Sequence, residues 1–183
     1  MLGRLTAPAL ALLPAMLVAQ ATPQQAPPYR GFAPGMSYRD FTTRARAMAR
    51  RSGDALVCNT SKRTAQLMEC GLLIRDPADS ATLYLSAYVL EGTVAMVSFG
   101  DSGTAALVER TGRDLTARYG RPRYAHNGSW QWQYGKQFVR FNWRGRGSMR
   151  LTDVVLEDRH IMDGISKYVT RTPPPAASPP TRH

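Results

Sequence analysis

The chain has 183 residues and a formal net charge of +11, supplied almost wholly by arginine, with 21 Arg against 3 Lys. Charge of this size speaks to solubility and to association with anions, not to a particular ligand. Beyond the N-terminal segment no second long apolar run occurs, which argues against a membrane-spanning protein.

Met1 to Arg4 carries one positive charge, and residues 5–18 are apolar but interrupted by Pro8 and Pro14. Ala19-Gln20-Ala21 then offers a small-x-small cleavage site. The pattern predicts a secretory signal over residues 1–21, too short and proline-rich in its apolar part for a comfortable span. No cysteine follows it to accept a lipid. The mature chain of 162 residues is expected to be soluble and exported, periplasmic or extracellular, and suffices for one domain or two small halves. In an oxidising compartment Cys58 and Cys70 are expected to form one disulfide rather than two thiols or half a metal site.

Residues 22–34 (TPQQAPPYRGFAP) are polar and proline-rich and read as an extended arm. Ser37-Tyr-Arg-Asp40 has an N-cap pattern, and Phe41, Ala45, Met48 and Ala49 recur at helical spacing, so a helix is predicted over 38–51. Strands follow over 54–60 and 66–72. Placing Cys58 opposite Cys70 puts Leu56, Cys58, Met68, Cys70 and Leu72 on one face and Asn59 and Glu69 on the other. The disulfide register and the hydrophobic register therefore agree. After a turn at Arg75-Asp-Pro-Ala-Asp79, residues 81–90 and 93–99 form a hairpin around Glu91-Gly92, with Tyr84 opposite Phe99 and Val89 opposite Val94. Both of its faces are apolar, which predicts a hairpin that is central or covered on both sides. Asp101-Ser102-Gly103 reads as a break in the sheet, with Ser102 as N-cap of a second helix over 105–119. Gly112 weakens that helix by up to roughly 1 kcal/mol relative to alanine. Gly120 and Pro122 end it.

Residues 129–150 hold all three tryptophans and alternate large apolar with polar side chains through two glycine-marked turns. With Gly135-Lys136 as one turn, Trp132 faces Val139 and Trp130 faces Phe141. With Gly145-Arg-Gly147 as the next, Trp143 faces Met149 and Phe141 faces Leu151. Trp130, Trp132, Val139, Phe141, Trp143, Met149 and Leu151 are thus expected to be core. The opposite face would carry Gln131, Gln133, an exposed Phe138, Arg140, Asn142, Arg144, Arg150 and Thr152. Asp153 reads as a bulge before a last strand, and residues 161–165 as a final apolar turn. Residues 169–183 are proline-rich and expected to be disordered.

The resulting architecture is α+β: two helices packed on antiparallel sheet, with the helix-then-strands pattern occurring twice, over residues 35–101 and 102–168. An unduplicated α+β sheet is the alternative. Gly35-Met-Ser-Tyr-Arg-Asp40, the Cys58–Cys70 hairpin, Tyr119-Gly-Arg-Pro122 and Leu151-Thr-Asp-Val-Val-Leu156 together resemble the tandem fold of secreted β-lactamase inhibitor proteins. They also resemble the related helix-plus-sheet module of small outer-membrane-assembly lipoproteins. That resemblance implies the fold, and a role in gripping a partner, but no binding residue here matches a family motif.

No catalytic constellation accompanies this fold. His126, His160 and His183 are scattered, without the i, i+4 spacing of a zinc site. Gly100-Asp-Ser-Gly103 sits at a helix start rather than in a nucleophile elbow. The chain is expected not to be an enzyme and to need no cofactor or metal. The candidate site is the wet face of the meander: Gln131, Gln133, Phe138, Arg140, Asn142, Arg144 and Arg150. Arginine beside an aromatic is what protein interfaces favour. An acidic protein partner is the leading expectation, with an anionic envelope polymer or membrane surface as one alternative and an unrecognised hydrolase as another. One aromatic is too thin for base stacking, so nucleic acid is not favoured.

Overall fold

The computed structural model describes residues 25–62 and 64–169. The signal over 1–21 and all of the tail but residue 169 lie outside them. In chain order the elements are α1 (Tyr38–Ala47), β1 (Val57–Thr60), β2 (Leu67–Arg75), β3 (Thr82–Leu90) and β4 (Thr93–Gly103). They continue with α2 (Ala105–Tyr119), β5 (Tyr124–His126), β6 (Ser129–Tyr134), β7 (Gln137–Arg144), β8 (Arg150–Asp158) and α3 (Arg159–Val169).

The strands form one antiparallel sheet of eight, in the order β1-β2-β3-β4-β8-β7-β6-β5. This corrects the expectation of two helices on a sheet with the helix-then-strands pattern made twice. The strands are a single hydrogen-bonded sheet joined at β4–β8, and a third helix, α3, packs on it. The joint is possible because β4 does not break at Asp101. Asp101, Ser102 and Gly103 stay in the ladder opposite Thr152, Leu151 and Arg150. Thr104, not Ser102, is the N-cap of α2, and its side chain makes no capping bond.

Helix α1 starts as its sequence dictates, with the Ser37 hydroxyl accepting from the Asp40 N–H at 3.1 Å. It stops at Ala47, short of residue 51, because the β2 edge captures the backbone that follows. Arg50 N–H donates to Leu73 O, Arg75 N–H donates to Met48 O, and Ala49 bridges Ile74. Ladder bonds to an unpaired strand satisfy those groups as well as another helical turn does.

The inner face of the sheet is the core. Leu85, Val97, Phe99, Val139, Phe141 and Leu156 are buried there beneath Phe41 and Ala45 of α1 and Leu115 and Tyr119 of α2. Cys58 and Cys70 are bonded, opposite one another in the β1–β2 ladder. The described part of the arm, 25–34, is not a free linker. Phe32 is fully buried, edge-on to Phe41 and Phe99, and Tyr29 packs edge-on to Phe99. The Tyr119 hydroxyl and Arg118 Nη1 donate to the carbonyls of Pro27 and Pro28 at 3.0 and 2.9 Å. Arg30 pairs with Asp76 and Asp79.

Two registers differ from those expected. A bulge at Ala95 keeps Val89 opposite Val94 but moves Tyr84 from Phe99 to Gly100. On β8, Trp143 meets Thr152 and Phe141 meets Val154, with no bulge at Asp153. The slip is odd, so it reverses the faces. Leu151 and Met149, expected in the core, are exposed, and Thr152 is buried.

Candidate functional site

Two helices and the arm cover the inner face. On the outer face, among the described residues, the cover is α3, which packs Ile161, Met162, Ile165 and Tyr168 over Leu67, Tyr88, Leu90 and Ala95. Residues 161–165 are therefore part of a helix and not a lone turn. The remainder of the outer face is open; the hairpin of residues 81–90 and 93–99 is central in the sheet, one of the two placements its apolar faces predicted, and only part of it is covered on this side.

Alternation along β6 and β7 puts Gln131, Gln133, Phe138, Arg140, Asn142 and Arg144 on this outer face, but only some are available. Phe138 is buried, with the Arg159 guanidinium over its ring at 5.1 Å, so it is not the exposed aromatic expected. Arg140 is paired with Glu157 across the β7–β8 ladder. Gln133 accepts from Arg123 and donates to Gly135 O. Gln131 is half-buried opposite Arg140. The Asn142 carbonyl oxygen accepts from Ser129 at 2.8 Å. Arg144 is exposed.

Arg150 falls on the other side of the sheet. The odd slip gives it the parity of Thr152 and Val154, and its guanidinium donates to Gly147 O and Met149 O in its own loop. Arg140, Arg144 and Arg150 therefore do not make one basic face, and an acidic partner has no assembled arginine trio to hold it.

The outer face offers something else. One row crosses five strands in register, Leu73–Tyr84–Gly100–Asp153–Asn142. The adjoining row runs Val57–Gly71–Ser86–Ser98–Val155–Arg140. Small residues give the centre of the sheet a low floor, and the Ser86 and Ser98 hydroxyls bond to each other at 2.7 Å. The Tyr84 ring leans over Gly71, where a Cβ would strike its hydroxyl.

The floor opens into a concavity of about 970 Å³ lined in part by Leu73, Tyr84, Trp143, Arg144, Leu151 and Asp153. A second, of about 570 Å³, shares Leu73 and Tyr84 and reaches Val57. Tyr84 and Val57 are each 54% exposed, Leu151 45% and Leu73 36%. Large apolar side chains grouped this way on one face differ from the scattered exposed residues of an ordinary surface.

Asp153 stands amid these apolar groups, half-buried, and among the described residues no donor reaches its carboxylate. Burial pushes it above the usual carboxylate range, and Arg144 partly opposes that. Sequence reading missed Leu73, Tyr84, Gly100, Leu151 and Asp153 as a group, because only the β4–β8 pairing brings them together.

The two described histidines stay apart, His126 stacked on Tyr124 and His160 in the first turn of α3. Among the described residues no three of His, Cys, Asp or Glu converge as metal ligands, and no helix is long and apolar enough to cross a membrane. The chain matches no protein-family model, no curated protein and no solved structure.

Proposed function

We propose that the protein is an exported, non-enzymatic interaction module that holds a protein partner on the outer face of its sheet. The observation that carries this reading is the uncovered apolar group Val57, Leu73, Tyr84 and Leu151 around a floor of glycine and serine. Such a surface gains by burial, at about 25 cal/mol for each Å² of apolar area removed from water. The low floor admits side chains from another molecule. The Cys58–Cys70 bond, which ties edge strand β1 to β2, supports export to an oxidising compartment. It also holds the rim of the concavity in place.

A second reading draws on the helical layer. Arg39, Arg44 and Arg46 of α1 and Arg110, Arg113 and Arg118 of α2 are exposed on the side away from the open face. That distribution supports contact with an anionic envelope polymer through charge alone. The two readings separate in one capture experiment on an envelope extract. A Tyr84→Ser/Leu151→Ser variant loses the partner under the first reading, and the bound material survives moderate salt. An Arg44→Ser/Arg113→Ser variant loses it under the second, and salt releases it. Retention by the Tyr84→Ser/Leu151→Ser variant overturns the sheet-face reading.

A further inference from the structure

In the row Leu73–Tyr84–Gly100–Asp153–Asn142, the one residue without a side chain lies between Tyr84, whose ring leans to the far side over Gly71 and leaves its Cβ at the notch, and a half-buried carboxylate. Neighbouring strands lie about 4.8 Å apart, so Tyr84 and Asp153 flank a notch roughly 10 Å across at the backbone. The notch is open: a Cβ built on Gly100 would meet nothing closer than Tyr84 Cβ and Tyr84 O, both at 3.8 Å.

The chemistry of the walls restricts what can enter. An anion would face Asp153. A purely apolar group would strip water from a half-buried carboxylate that no described donor satisfies, which is unfavourable for an unpaired charge. Asn142, opposite Asp153 in the ladder, accepts at Oδ1 from Ser129, and its Nδ2 makes no hydrogen bond to Asp153 among the described residues. Arg144 lines the same concavity, but it is exposed and makes no ion pair with Asp153 among the described residues. A group with an apolar stem and a cationic head satisfies both walls, because such side chains lay their methylenes on apolar surface and keep the charge at a polar partner.

Resting on the sheet-face reading above, we infer that the notch over Gly100 receives a lysine or arginine side chain of the protein partner, its stem against Leu151 and the Tyr84 Cβ and its head on Asp153. Arg144 is then a competitor for the same carboxylate. Its charge acts on the carboxylate from a distance without an ion pair, and the partner's cation displaces that influence on arrival.

The test is a ¹⁵N-resolved NMR titration of the full chain with N-acetyl-lysine-N-methylamide, and with the neutral isostere N-acetyl-norleucine-N-methylamide. The backbone amide of Gly100 and the side-chain amide of Asn142 report on the notch. The lysine probe gives saturable shifts at both groups, and the norleucine probe binds about ten-fold more weakly, the worth of a hydrogen bond to a charged group. Asp153→Asn reduces the lysine probe to the norleucine level. Gly100→Val abolishes both while the strand persists, since valine suits a strand and its Cβ finds ordinary contacts. Arg144→Ala tightens the lysine probe.

Equal binding of the two probes, the absence of a saturable shift, lysine binding that survives Asp153→Asn, or weakening by Arg144→Ala each overturn the notch assignment. If the notch assignment fails while Tyr84→Ser/Leu151→Ser still abolishes capture, the sheet-face reading stands without it. If the probes behave as expected but capture is unaffected, the sheet-face reading fails instead.

Discussion

Trp143 lies opposite Thr152 across the β7–β8 ladder, three residues along from Met149, the partner that the glycine-marked turn implies. Thr152 is buried as a result, while Leu151 and Met149, at 45% and 58% exposure, face outward or into the loop. Substitutions of Met149 or Leu151 by serine should therefore each change stability by no more than about 0.5 kcal/mol. In the alternative register Leu151 is a core residue, and its truncation would cost at least about 2 kcal/mol. Urea denaturation of the two variants decides between these registers.

The arm preceding α1 is part of the core. Phe32 is fully buried between Phe41 and Phe99, and its neighbours Pro27 and Pro28 are held by Tyr119 and Arg118. Phe32→Ala should cost about 3–5 kcal/mol, the range for a truncated core phenylalanine. A loss below about 1 kcal/mol in chemical denaturation would mean that the arm is a linker after all.

Gly112 looks from sequence like a weak point in α2 that alanine would improve. In the fold a Cβ there would lie 2.9 Å from Trp130 Cζ3 and 3.1 Å from Cη2, with Phe141 close behind. The helix-propensity gain of about 1 kcal/mol is opposed by overpacking of about 1–3 kcal/mol. Gly112→Ala is expected to destabilise by about 1 kcal/mol and to perturb Trp130 fluorescence, whereas stabilisation would show that the ring moves aside freely.

Asp153 gives the protein a pH signature. Burial raises its carboxyl above the ordinary value of 3.8, Arg144 opposes the shift, and Asp101 is the other acid lining the same concavity. A group raised in the folded state favours folding fully below its unfolded value, and that contribution is lost as pH rises through the folded value. Asp153→Asn should therefore match the wild type in melting temperature below about pH 3.8 and exceed it at neutral pH. A variant less stable than wild type at neutral pH would mean that the carboxylate has a stabilising partner. The lysine probe should pull the Asp153 value back down.

Local chemistry was well written in the sequence. The Ser37 cap, the Glu91-Gly92 and Gly135-Lys136 turns and the Cys58–Cys70 register depend on neighbours or on a single hairpin, where residue type alone restricts geometry. Non-local pairing was not. Nothing in Asp101-Ser102-Gly103 signals that β8 waits to pair with it, so the sheet seemed to break there. Tyr29 and Phe32 sit among prolines, and the composition masked two core aromatics. The candidate site suffered most. Its outer-face positions on β7 followed from alternation, but Arg150 changed sides with the odd slip on β8. Tyr84, Gly100 and Asp153 meet only through pairings between β3, β4 and β8.

The outer sheet face is the surface proposed to meet a partner. A photo-crosslinking amino acid placed at Tyr84 or Leu151, and separately at Arg44 or Arg113 on the helical layer, tests this in intact cells. The account predicts a discrete protein adduct from positions 84 and 151 that disappears with Asp153→Asn or Gly100→Val, and none from 44 or 113. An adduct confined to the helical positions would contradict it, whereas one from position 84 indifferent to the notch substitutions would overturn the notch assignment alone.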